Sequence, residues 1–220
     1  MIRFYFDFIS PNAWLAWARI GPVAARHGKA VLPVPVLFAA LLKASGRPGP
    51  AELPAMWRWM YANVLRKGAL YGVPMKPPPS HPFNPLIALR VASLPMQEPE
   101  RAAAVEALFR AVWAGGPGVE DEQTVASILT NAGLDGERLV QAARTQQAKD
   151  RLRQQTEEAI AAGAFGVPTM VVDEELFWGH DDLEFMDRYL SGSDPLPRAE
   201  APAWERLRPT AWRKEAPPTR

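Results

Sequence analysis

Two stretches of strand-and-helix pattern, at residues 2–37 and 164–190, bracket more than a hundred residues whose apolar spacing is helical. This order constrains the fold more than any single motif: a β-α-β opening, a long helical insert, then a β-β-α close. Residues 2–8, beginning Ile2-Arg3-Phe4-Tyr5-Phe6, read as a buried strand. Ser10-Pro11 then reads as a helix start, with serine at the N-cap and proline at the first helical position, where its missing N–H costs nothing. That helix runs to about His27, and Gly28 stops it. Residues 30–37 are rich in valine and read as a second strand despite Pro33 and Pro35.

Beyond Phe38, Leu53, Met56, Trp57, Met60, Tyr61, Val64 and Leu65 recur at three- and four-residue spacing, as do Val105, Leu108, Phe109, Val112 and Trp113. Both sets predict amphipathic helices. Residues 73–85 are too proline-dense for a helix and read as an ordered loop leading into a helix over 86–92. Further helices are expected over 122–130, 137–143 and 146–162. Gly163-Ala164-Phe165-Gly166 breaks the last of these. Residues 167–172 resume the strand pattern, Leu176-Phe177-Trp178 makes a short return strand, and Asp181 or Asp182 caps a final helix with Leu183, Met186, Tyr189 and Leu190 inward. From Ser191 onward the prolines at 195, 197, 202, 209, 217 and 218 argue against regular structure. Trp204 and Trp212 suggest that part of this tail packs on the body or on a neighbouring subunit, with the last ten or so residues disordered. The expected division is an α/β unit over 1–37 and 164–192, an all-helical insertion over 38–163, and a proline-rich tail over 193–220.

Charge narrows the partners. Lys and Arg number 25 against 24 Asp and Glu, and the basic residues are scattered, so nothing marks a nucleic-acid or anionic-membrane surface. No apolar run approaches the roughly 20 residues of a membrane span, and no leader pattern precedes the first strand. A cytoplasmic protein acting on a small molecule is the expectation. Cysteine is absent, which excludes disulfides, thiolate metal sites and a cysteine nucleophile, and three dispersed histidines show no metal-ligand spacing. Any thiol chemistry must use a thiol from outside.

βαβ followed by ββα is the thioredoxin order, in which the active residue caps the first helix and a proline before the third strand faces it. Redox versions place Cys-x-x-Cys there, because the helix N-terminus lowers a thiol pKa. Here the place is held by Ser10-Pro11-Asn12-Ala13. Taken alone, Ser10 fits a plain N-cap that accepts from the Asn12 or Ala13 N–H. Val167-Pro168-Thr169 at the head of a strand adds a second feature at the same spot, because a cis proline there leaves the Val167 backbone to pair with an extended peptide.

Phe6-Asp7-Phe8-Ile9-Ser10-Pro11-Asn12-Ala13-Trp14, Pro82-Phe83-Asn84, Gly163-Ala164-Phe165-Gly166-Val167-Pro168-Thr169 and Trp178-Gly179-His180-Asp181-Asp182 together resemble the 2-hydroxychromene-2-carboxylate isomerases, relatives of the kappa-class glutathione transferases. The resemblance covers about residues 1–190. It implies a homodimer with a thioredoxin-like domain, an inserted helical domain, and glutathione bound between them beside a small aromatic substrate. By position, Ser10 is implied as the catalytic residue, holding the glutathione sulfur and favouring thiolate over thiol. Val167, beside Pro168, is implied to pair with the cysteinyl backbone, and Gly179, His180 and Asp181, next to Trp178, to take the γ-glutamyl end. Asn12, Arg47 and Asn84 fall on the substrate side.

The implied activity is isomerisation through reversible thiolate addition. Transferase chemistry that keeps the adduct and a non-catalytic glutathione-binding or scaffold role are the alternatives. The chain departs from its relatives at Asn12, where they carry Tyr or Phe, at Arg47, where they often carry Asn, and at Met56, where they often carry Lys. Lys43, Arg58 and Lys67 are the candidates for the missing cation. His27 is expected to interact with its helix C-terminus, and His81 to lie exposed in its proline-rich loop.

Overall fold

Phe4, Phe6 and Phe8 alternate with Arg3, Tyr5 and Asp7, so a strand built from them shows two different faces. In the computed structural model, which describes residues 1–211, β1 (Ile2–Phe6) lies inside a four-stranded sheet with β2 (Val31–Pro35), β3 (Thr169–Val172) and β4 (Glu175–Trp178). The order is β2-β1-β3-β4, with β2 parallel to β1 and the other two pairings antiparallel. β2 is an edge strand, which is why it tolerates Pro33 and Pro35. β1 ends at Phe6 rather than at residue 8, because the Asp7 side chain accepts from the Ile9 N–H and turns the chain.

Helix α1 (Pro11–Arg26) connects β1 to β2. The insertion carries α2 (Phe38–Ser45), α3 (Pro54–Tyr71), α4 (Leu86–Ser93), α5 (Glu98–Trp113), α6 (Glu122–Asn131), α7 (Gly136–Ala143) and α8 (Gln146–Ala161), and α9 (Leu183–Leu190) follows β4. Each expected helix of the insertion is present. One face of the sheet buries Phe4 and Phe6 against an aromatic chain in which Phe6–Phe8, Phe8–Phe109 and Trp14–Phe109 lie 5.2, 4.8 and 6.0 Å apart between ring centroids. Such pairs add about 1 kcal/mol each beyond their burial. They join β1 and α1 to α5, so sheet and insertion share one continuous core. The opposite face packs Tyr5, Val34 and Val171 with Leu41 of α2 and Ala159 of α8. The chain is therefore a thioredoxin-like α/β fold with a helical insertion.

Two expectations need correction. The stripe proposed for α3 is narrower than its apolar spacing implies: Met60, Val64 and Gly68 are buried, while Met56, Trp57 and Leu65 are exposed. The tail is not devoid of regular structure, because α10 (Ala201–Glu205) forms with Pro202 in its first turn, where no N–H is required. Trp204 on that helix stays 71% exposed instead of packing on the body. Trp212 and the segment expected to be disordered lie outside the described residues. No helix among the described residues is long and apolar enough to cross a membrane.

Candidate active site

The turn between β1 and α1 is held both by its own Asp7 and by donors from the insertion. Asp7 lies at the end of β1, 2% exposed, and its carboxylate accepts from the Ile9 N–H on one oxygen and the Phe38 N–H on the other, both at 3.0 Å. It thereby ties the turn to the start of α2, whose N-cap Leu37 offers no side chain for the purpose. The Asp7 carbonyl accepts from the Ser10 N–H. From the insertion, Trp113 Nε1 donates to the Phe8 carbonyl at 2.8 Å, and His81 Nε2 lies 3.0 Å from the Ile9 carbonyl. A carbonyl can only accept, so His81 is protonated on Nε2. Burial holds its pKa below the usual value, and the ring packs among Tyr61, Phe83 and Trp113.

His81 is thus half-buried beneath the turn, not exposed. Proline density in its loop signals only that no helix forms; it carries no information about burial. His27 also does more than cap α1, since its side chain lies 2.6 Å from Asp187 of α9.

Ser10 sits at the end of this clamped turn, extended at φ −95°, 8% exposed, with Pro11 following. Its Oγ accepts from the Ala13 N–H at 3.2 Å, as the N-cap reading requires. It also donates to the Val167 carbonyl at 3.3 Å, a long bond that crosses 157 residues of sequence. The Val167–Pro168 peptide is cis, and the Pro168 carbonyl in turn accepts from the Gly179 N–H at 2.9 Å. Trp178 pairs with Thr169 in the β3–β4 ladder, and its ring lies 5.1 Å from that of Phe165. Ser10, Val167, Pro168, Trp178, Gly179 and the following His180-Asp181 therefore form one continuous line across the sheet end.

Arg47 reaches this line through Phe165, donating to its carbonyl at 2.6 Å. Asn12, in the first turn of α1, has a buried Oδ1 with no hydrogen-bond partner among the described residues. The Asn84 side chain accepts from the Leu86 N–H, and Asn84 lines a cleft of about 810 Å³ with Arg90, Glu122 and Arg144. Of the three candidate cations, Lys67 pairs with this line, its Nζ 2.7 Å from Asp181 Oδ2. Lys43 and Arg58 are exposed. Burial works to raise the Asp181 pKa, but Lys67 outweighs it and holds the carboxyl below its usual value.

The energetics of the turn give a first prediction. Burial pushes the Asp7 pKa up to about 6, against the two backbone N–H bonds that favour the carboxylate. A raised carboxyl pKa is stabilising below the unfolded value near 3.8, and that contribution is lost as pH rises through about 6. Asp7→Asn does not titrate and leaves one N–H without an acceptor. Its destabilisation should therefore be larger at pH 4 than at pH 7.5, by up to about 3 kcal/mol, measured by urea unfolding. A pH-independent difference would contradict the buried-carboxylate account.

Comparison with known proteins agrees with this fold. Residues 1–191 match the model of the DSBA-like thioredoxin domain. The chain is 31% identical over 192 residues to a 2-hydroxychromene-2-carboxylate isomerase of Sphingobium xenophagum, covering 86% of this chain and 97% of that protein. It is 25% identical over 206 residues to glutathione S-transferase kappa 1 of Rattus norvegicus, covering 87% and 91%. A solved 2-hydroxychromene-2-carboxylate isomerase superposes with a TM-score of 0.80 at 26% identity, over 94% of this chain and 99% of that one. The chain belongs to the DSBA-like thioredoxin-domain family and, within it, to the 2-hydroxychromene-2-carboxylate isomerases that are related to kappa-class glutathione transferases.

Proposed function

We propose that this chain is a glutathione-dependent isomerase of an aromatic-degradation intermediate of the 2-hydroxychromene-2-carboxylate type, working in the cytoplasm as a homodimer. The observation that carries this reading is the Ser10 hydroxyl, set at the N-terminus of α1 and 3.3 Å from the Val167 carbonyl in a chain without cysteine. The residues present suit glutathione. Among the described residues nothing accepts from the Val167 N–H, His180 Nδ1 is buried without a partner, and Lys67 and Asp181 offer both charges at the far end of the line.

When bound, glutathione supplies the thiolate that adds reversibly to an unsaturated acid, making one double bond temporarily single so that it can rotate. The protein's part is to favour that thiolate and fix its position. Ser10 has one hydrogen to give, and its long bond to Val167 O is weak competition for a charged acceptor. Val167 O, once released, can accept from the cysteinyl N–H, so no backbone group is stranded. The positive end of α1 adds to the same preference. The unpartnered Oδ1 of Asn12 offers an acceptor to a polar group on the substrate. The homodimer is supported by the α3 face carrying Met56, Trp59 and Leu70, which are 46%, 61% and 73% exposed.

Following substrate and free glutathione together tests the reading. Isomer formed at constant glutathione supports it. Glutathione lost one-for-one with substrate means a transferase, the activity named in the kappa relatives, and turnover without glutathione overturns the proposal.

A further inference from the structure

His180 is 1% exposed, and its two ring nitrogens have unequal surroundings. Nε2 lies 2.7 Å from Arg19 NH1, further along the helix that Ser10 begins. A guanidinium has no acceptor, so Nε2 accepts and the neutral ring carries its proton on Nδ1. Nδ1 has no hydrogen-bond partner among the described residues; Asp181 Oδ1, at 3.7 Å, lies beyond hydrogen-bond reach. The groups facing the ring are Arg19 from α1, Lys67 and Tyr71 from α3, and Asp181 beside it, with the Arg19 guanidinium stacked 3.6 Å from the Tyr71 ring centre.

We propose that Arg19 is a positioning residue for glutathione: by donating to His180 Nε2, it fixes the tautomer whose Nδ1–H is turned toward the Asp181–Lys67 pair, where the γ-glutamyl group is received. This rests on the glutathione reading above. The γ-glutamyl end carries an ammonium and a carboxylate. Asp181 suits the first, while Lys67 and the His180 Nδ1–H suit the second. Arg19 and Lys67 against Asp181 leave this pole one charge positive. Burial first, then Arg19 and Lys67, bring the His180 pKa down to about 4, so the ring stays neutral near neutral pH. Without Arg19 only the more distant Asp181 carboxylate favours that tautomer, and a ring protonated on Nε2 presents a bare Nδ1 that repels a carboxylate.

The test uses the full chain as wild type, Arg19→Gln and Arg19→Lys. Nitrogen NMR without ligand reads the His180 tautomer and its titration. Calorimetry with glutathione and with cysteinylglycine, which lacks the γ-glutamyl group, reads the consequence. Wild type is expected to hold the proton on Nδ1. Arg19→Gln should mix the tautomers, raise the ring pKa toward its usual value, and weaken glutathione about 10-fold while leaving cysteinylglycine unchanged. Arg19→Lys, which keeps a charged donor and serves as well if the glutamine variant fails to fold, should recover most of the affinity.

Arg19→Gln protein with the wild-type tautomer and titration overturns the proposal, as does equal weakening of both thiols, which would mark a merely structural role. Wild-type protein that binds neither thiol overturns the glutathione reading and the ligand named here, while the NMR result still decides separately whether Arg19 sets the tautomer.

Discussion

Ser10→Ala is expected to lower kcat by about 100-fold or more, with the KM for glutathione changed only a few-fold. The reason is the division of labour at this residue. In the proposed reading, the backbone pairing with Val167 and the pole at Asp181 would bind the tripeptide whether or not the hydroxyl is present. The hydroxyl acts only where negative charge sits on sulfur. Alanine also removes the N-cap acceptor for the Ala13 N–H, at a cost of about 1 kcal/mol in stability, small enough to leave the protein folded. The bound thiol should titrate at higher pH in the variant than in wild type, followed by ultraviolet thiolate absorbance. A titration identical to wild type would remove Ser10 from the reaction and leave it as a helix cap.

His81→Phe carries the second large effect. Phenylalanine preserves the packing among Tyr61, Phe83 and Trp113 but removes the donor to the Ile9 carbonyl. Losing one buried donor costs about 1–3 kcal/mol, and the loss falls on the turn that ends at Ser10. Turnover should fall about 10-fold and thermal stability should drop with it. His81→Gln, whose amide can donate to the same carbonyl, should recover much of both. If the glutamine and phenylalanine variants are equally impaired, ring packing rather than the hydrogen bond is what His81 supplies.

These two residues differ in how far sequence exposes them. Ser10 is legible because Ser-Pro is a local helix-start signal, and Val167-Pro168 is a rare local pattern at a strand head. Topology then requires the two to meet, and they do, across 157 residues. The order of elements was equally legible, since each has its own periodicity and end signals. His81 was not, because its role depends on a loop folding back under a turn 72 residues away. Lys67 could not be chosen over Lys43 and Arg58 for the same reason: its partner Asp181 lies 114 residues on, and nothing local to α3 marks it. Asn84 shows the converse. Its motif is recognisable, yet nothing local announces that its side-chain oxygen is spent on the Leu86 N–H. The exposed side of α3 misled because apolar spacing reports that a helix forms, not how much of its surface this chain covers.

The central claim is that glutathione lies along the line from Ser10 to Asp181 with its sulfur at the serine. A crystal structure of the wild-type protein with glutathione tests it most directly. The expected result is the sulfur within hydrogen-bonding distance of Ser10 Oγ, the cysteinyl backbone paired with Val167, and the γ-glutamyl group at His180, Asp181 and Lys67. Glutathione bound elsewhere, or with its sulfur turned away from Ser10, would contradict the account.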